Sequence, residues 1–199
     1  MKVKLLQHAA FLAIYTCGIA GAQVLTTAET LGKGRQAVMF SENRLFVGGD
    51  KLNIAYVQYV RGLTKRFDLY VSLGETRIFG ENQAWLGLGG NLNLFRVEKV
   101  NVSIFNIFSV PVHRRSEAST VLLNSAIVVS RNITERFALY SGVNSLWPIG
   151  AKERGLFTPA TKKINVPLGT AVFLGKWGIF AESDLGRLKA VGIGVARLF

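Results

Sequence analysis

Beyond residue 22 the chain has a single histidine, His113, in the run Pro111-Val-His-Arg-Arg-Ser-Glu-Ala-Ser119. An imidazole beside a hydroxyl and a carboxylate is the raw material of nucleophilic catalysis, with His113 as base, Ser116 as nucleophile and Glu117 as orienting acid. Their spacing argues against it. All three fall in one connection, whereas a working base and nucleophile need rigid, separate supports. A solvated loop histidine is the preferred reading, so no catalytic residue is assigned and the chain is read as a non-enzyme. Metal chemistry has still less to use, because the only cysteine, Cys17, lies near the start and no calcium-type carboxylate loop is spelled out. No metal or other cofactor is expected. Gly87-Leu-Gly-Gly90 lies inside a strand pattern with no helix after it, which suits packing better than phosphate binding.

Charge carries more information than motifs. The 199 residues hold 24 Lys+Arg against 12 Asp+Glu, a formal +12, yet 49% of residues are hydrophobic and only 18% charged. That balance excludes a disordered basic tail. Nucleic-acid binding would want bases gathered on one face among stacking aromatics. Here the bases are dispersed over connections while the aromatics fall in strands, so no nucleic-acid partner is expected.

The elements that position these residues begin after a leader. Met1-Lys-Val-Lys4 is basic, residues 5–20 are almost wholly apolar, and Ala20-Gly-Ala22 precedes Gln23. This is the pattern of a secretory signal peptide over residues 1–22. A membrane anchor is the alternative, disfavoured by Tyr15, Thr16 and Gly18 within the stretch; a lipid-modified Cys17 is a third, disfavoured by the bulky Ile14-Tyr15-Thr16 before it. Cleavage lowers the formal charge from +12 to +10 and leaves a chain without cysteine, hence without a disulfide staple.

After the leader no run of 18 apolar residues occurs, but short alternating segments do. Phe67, Leu69, Val71 and Leu73 share one face of a strand, and Asp68, Tyr70, Ser72 and Gly74 the other. The spacing predicts ten strands, near 34–41, 52–61, 66–74, 83–95, 101–110, 120–130, 136–143, 164–174, 177–184 and 190–199. Tight connections at 62–65, 96–100, 131–135 and 175–176 alternate with longer ones, the longest over 144–163. Pro167 is out of place in this scheme and suggests that the eighth strand begins near Leu168. Leu63-Thr-Lys-Arg-Phe67 and Ile133-Thr-Glu-Arg-Phe137 echo each other, read as two equivalent turns meeting the same constraint.

An even set of alternating strands with short and long connections in turn is the signature of a closed antiparallel transmembrane β-barrel. Residues 23–199 form that domain, with strands from about residue 34, ten in number or eight as the alternative. A secreted β-sandwich also alternates, but its outer faces would be charged, whereas the non-oily faces here are chiefly Gly, Ser, Asn, Ala and Tyr. Parity assigns Arg66, Asp68, Arg136, Glu182 and Asp184 to the lumen, where they either neutralise one another as a plug or set the field of a narrow path.

The leader, the cysteine-free body and the final run Val191-Gly-Ile-Gly-Val-Ala-Arg-Leu-Phe199 resemble small outer-membrane β-barrel proteins of Gram-negative bacteria. In that superfamily a terminal aromatic with apolar residues at alternate positions upstream is read by the barrel-assembly machinery. Phe199, Val195, Ile193 and Val191 match, and Arg197 departs. The resemblance implies an outer-membrane location, periplasmic termini and tight turns, and outer long connections. Those connections would carry a basic rim of Arg114, Arg115, Lys152, Arg154, Lys162 and Lys163, with Arg44, Lys51, Arg77, Arg187 and Lys189, facing lipopolysaccharide phosphates. The expected function is a monomeric narrow channel or transport-related barrel for small solutes. A non-transporting structural or surface-interaction barrel is the alternative. A lipid-modifying enzyme using the His113 loop is the third reading, because some members of the superfamily place such sites at the outer rim.

Overall fold

Side-chain alternation becomes alternation of outward and inward positions around a closed sheet. The computed structural model describes residues 27–47, 50–78, 81–112, 121–149, 164–185 and 189–199. The strands are β1 Gln36–Val47, β2 Asp50–Gly62, β3 Phe67–Ile78, β4 Glu81–Val97, β5 Val100–Pro111, β6 Val121–Thr134, β7 Phe137–Ile149, β8 Ile164–Asn165, β9 Pro167–Leu174, β10 Trp177–Asp184 and β11 Lys189–Leu198. Neighbours pair antiparallel throughout, β1 pairs with β11, and β7 pairs with both β6 and β9, so the ring closes.

Eleven segments make ten staves, because β8 and β9 are one strand interrupted at Val166. Asn144 faces Asn165 and Ser141 faces Leu168, which is one unbroken register along β7. Pro167 has no N–H to give the ladder, and the strand breaks beside it. The proline therefore interrupts the stave without starting it, and Ile164–Asn165 still belongs to the sheet.

The outward positions are oily. Phe40, Val57, Leu73, Leu86, Leu88, Leu92, Phe108, Ile127, Leu139, Val143, Leu168 and Ile193 are all exposed on the barrel wall. In water such a belt would be an aggregation surface; against lipid it is the solvent-facing side. Inward positions hold Ala37, Met39, Tyr70, Phe105, Val128, Tyr140, Ala171 and Phe180, all buried, beside buried Asn, Ser and carboxylate side chains.

Two expected connections are not long. Strands β1 and β2 pair as far as Val47 with Asp50, and β3 and β4 as far as Ile78 with Glu81, so only 48–49 and 79–80 separate them. Arg44, Lys51 and Arg77, placed in outer connections from the sequence, lie in strands, as does Lys189 at the start of β11. The oily alternation stops before the strands do, because backbone pairing continues beyond the belt where outward positions carry Glu42, Arg44, Glu75 and Arg77. The intervals 112–120 and 150–163 separate the strands that flank them by more.

The opposite end is built of short turns. Thr64 Oγ1 accepts the N–H of Arg66 at 3.1 Å, and Thr134 Oγ1 accepts that of Arg136 at 3.2 Å. The sequence echo is thus one hydroxyl-capped turn used twice. Gly175, with φ +61°, makes the two-residue link from β9 to β10, where a left-handed residue suits the strand twist.

Candidate functional site

The interior divides along its length. Near the tight-turn end, Tyr70 and Phe105 meet edge to face with centroids 5.4 Å apart, and Phe173 and Phe180 do so at 6.1 Å. With Met39, Val60, Ile107 and Val128 they fill much of the cross-section. Ten staves leave little more width than side chains can occupy.

Below this layer the residues before β1 cross the barrel mouth. Ala28 is wholly buried; its N–H donates to Ser130 Oγ at 3.1 Å and its carbonyl accepts from Asn93 Nδ2 at 2.9 Å. The N–H of Leu31 donates to Asp68 Oδ2 at 2.8 Å. Glu29 accepts from Asn132 Nδ2 at 3.2 Å and pairs with Arg96 at 2.7 Å. Thr30 Oγ1 donates to the Lys65 carbonyl at 2.9 Å. Contacts to β3, β4, β6 and the β2–β3 turn mean that one short segment spans the opening. A cavity of about 90 Å³, lined by Thr27, Leu31, Met39, Gln58, Tyr70 and Phe180 among others, remains between segment and aromatic layer.

The other half of the lumen is polar. Glu182 on β10 and Tyr140 on β7 occupy one cross-strand row with Gly169 between them. A Cβ at residue 169 would run into the Tyr140 ring, so glycine lets the ring lie flat across β9. Tyr140 and Tyr56 both lie within electrostatic reach of Glu182. Two residues further along β10, wholly buried Asp184 accepts from Asn144 Nδ2 at 3.3 Å through Oδ2, while its Oδ1 has no hydrogen-bond partner among the described residues.

Of the five charges assigned to the lumen, Asp68, Glu182 and Asp184 sit on the buried inner face. Arg66 and Arg136 do not. Both lie in exposed turns, because the strands start at Phe67 and Phe137 and parity cannot be carried back through a turn. The lumen therefore loses both of its expected bases. Between the two rims, every charged side chain described as facing inward is a carboxylate.

At the C-terminus, Val191, Ile193, Val195 and Phe199 alternate outward along and just beyond β11, with Ala190, Gly192, Gly194 and Ala196 buried between. Arg197, the departure from the terminal pattern, holds its guanidinium 5.5 Å from the Trp177 ring centroid and 5.2 Å from that of Phe199. His113, Ser116, Glu117, Arg114, Arg115, Lys152, Arg154, Lys162 and Lys163 lie outside the described residues, as does the leader at 1–22. Among the described residues no three His, Cys, Asp or Glu side chains converge on a point that could hold a metal ion.

The mouth-crossing segment was missed from sequence. Thr27 to Leu31 has neither a period nor a motif to mark it; the structure alone shows Ala28 buried and Leu31 partly buried there.

No protein-family model and no curated protein sequence matches the chain. Solved structures do. An outer membrane channel from Pseudomonas putida F1 superimposes with a TM-score of 0.50 at 12% identity, covering 90% of this chain and 100% of that one. The shared fold is a closed antiparallel β-barrel, the fold of that outer membrane channel. NanC porin (TM-score 0.47, 9% identity, 81% of this chain and 98% of that one) and KdgM porin (0.46, 10%, 81% and 98%) are further similar structures. At such identities the likeness is one of fold, and what the barrel does must be argued from its interior.

Proposed function

We propose that the chain is a monomeric, non-enzymatic narrow channel of the outer membrane, with its own N-terminal segment seated across one mouth. The observation that supports this most is the manner of attachment. Residues 28–31 are held by side-chain hydrogen bonds to Asp68, Asn93 and Ser130 and by the rim pair of Glu29 with Arg96, without a large apolar face. Each such bond contributes on the order of 1 kcal/mol net, so the segment can leave without unfolding the barrel. In this reading the termini and tight turns face the periplasm. The long connections, with the bases at 114–115, 152–154 and 162–163, face lipopolysaccharide, and the outward residues of β11 are the assembly signal.

The cysteine-free body makes the test direct. Ala28→Cys with Ser130→Cys puts a thiol on each of the two residues that the bond from the Ala28 N–H to Ser130 Oγ holds together. In a planar bilayer the reduced protein should show brief openings that vanish on oxidation and return with reductant. Absence of openings in both states would sink the channel reading and leave the second one, a non-transporting structural barrel. The packing of Val128 and Ala171, both at 0% exposure, together with Phe105 favours that alternative.

A further inference from the structure

We infer that the polar half of the lumen is a site for a compact cation, of the alkali or primary-ammonium type, built on Glu182 and Asp184; this rests on the channel reading for its role in passage. The first support is the sign of the charge. The chain is +12 overall, yet between the rims its described inward-facing charges are Asp68, Glu182 and Asp184. Asp68 lies at the mouth, where it accepts the Leu31 N–H, so the two acids of β10 set the field of the upper lumen.

The second support is geometry. Two residues apart on one strand, Glu182 and Asp184 point to the same side, and both are at least nine-tenths buried. Asp184 offers an oxygen, Oδ1, with no hydrogen-bond partner among the described residues, while Asn144 fixes its other oxygen. A carboxylate is acceptor-only when ionised, and a buried one needs donors or a positive charge. The neighbouring groups are amides and phenols, Asn144, Tyr140 and Tyr56, which can donate or coordinate but supply no compensating full charge. A bulky quaternary cation has no N–H to give and must be held through its face; a primary ammonium offers three donors, and an alkali ion takes the oxygens directly.

The test uses the full mature chain carrying Asp68→Ala, which loosens the mouth and leaves Glu182 and Asp184 as the described lumen carboxylates. Two unit charges about 6 Å from the path of a hydrated ion, screened by salt at about 0.1 M, give roughly tenfold discrimination for cation over anion. Reversal potentials in a KCl gradient should therefore show about tenfold K⁺ over Cl⁻ selectivity, falling towards parity when Glu182→Gln and Asp184→Asn are added. Conductance without selectivity, or selectivity that survives the two changes, overturns the inference while leaving a channel. Failure to conduct at all removes the channel reading, and the site is then judged by binding. The unfolding midpoint of detergent-refolded protein should rise with methylammonium chloride, rise less with tetrabutylammonium chloride, and stop responding in the Glu182→Gln, Asp184→Asn variant. No response, or an equal response in that variant, overturns the site.

Discussion

Asp68→Ala isolates the hold on the mouth. In the native chain one oxygen of this buried carboxylate accepts the Leu31 N–H at 2.8 Å, while Oδ1 has no hydrogen-bond partner among the described residues. A hydrogen bond to a charged group contributes about 1.5–3 kcal/mol, against which removing a half-satisfied buried charge returns part of its desolvation cost. The lower end of the range is therefore expected, a rise of about tenfold in the population with the segment displaced. The readout is Ala28→Cys, the only thiol within residues 23–199 and wholly buried when the segment is seated. If reseating is fast, the rate of maleimide labelling follows the open population. Labelling should quicken about tenfold in Ala28→Cys, Asp68→Ala, and less in Ala28→Cys, Asp68→Asn, which keeps an acceptor without the charge. Rates within twofold of the parent in both variants would refute the reasoning, because Asp68 would then not be holding the mouth.

Gly169→Val should destabilise the folded barrel by about 1–3 kcal/mol, seen in urea unfolding, because its side chain must displace the Tyr140 ring. Arg197→Ala removes stacking on Trp177 and Phe199 at the rim and should cost about 0.5–1 kcal/mol, whereas Arg197→Lys should retain part of it. Leu88→Arg, in the middle of the exposed oily wall, should cost about 2–4 kcal/mol. Arg44→Leu should be near neutral by the same folded-fraction assay, since that outward position already holds a charge beyond the belt.

The strand count and the inward and outward parity were legible because period two survives in the residues themselves. Phe67 to Leu73 alternates in the sequence and on the wall alike. Strand ends were less legible for a physical reason. Asn43, Arg44, Thr76 and Arg77 break the oily alternation of their own strands, yet their backbones remain paired because a ladder, once in register, continues as long as both chains stay extended. Arg66 and Arg136 failed in the opposite direction, since a turn resets the parity on which their placement depended. Residues 27–31 could not be read at all: their shape comes from side chains on β3, β4 and β6, far along the chain.

Two barriers in series follow from this interior. The segment spans the mouth, and the layer of Tyr70, Phe105, Val128 and Phe180 lies behind it, held chiefly by packing. Loosening the first should change how often the lumen is reached, and thinning the second how much current passes. Phe105→Ala removes a side chain at 4% exposure and opens on the order of 100 Å³, against about 30 Å³ for one water in liquid. It should cost about 3–5 kcal/mol of fold stability, so the variant must first be shown to refold by heat-modifiable mobility. With Asp68→Ala alone, openings should become more frequent at unchanged amplitude; with Phe105→Ala alone, amplitude should rise at unchanged frequency. If Phe105→Ala altered frequency and left amplitude untouched, the layer would be part of the same latch as the segment, and the division of the lumen into two independent barriers would be wrong.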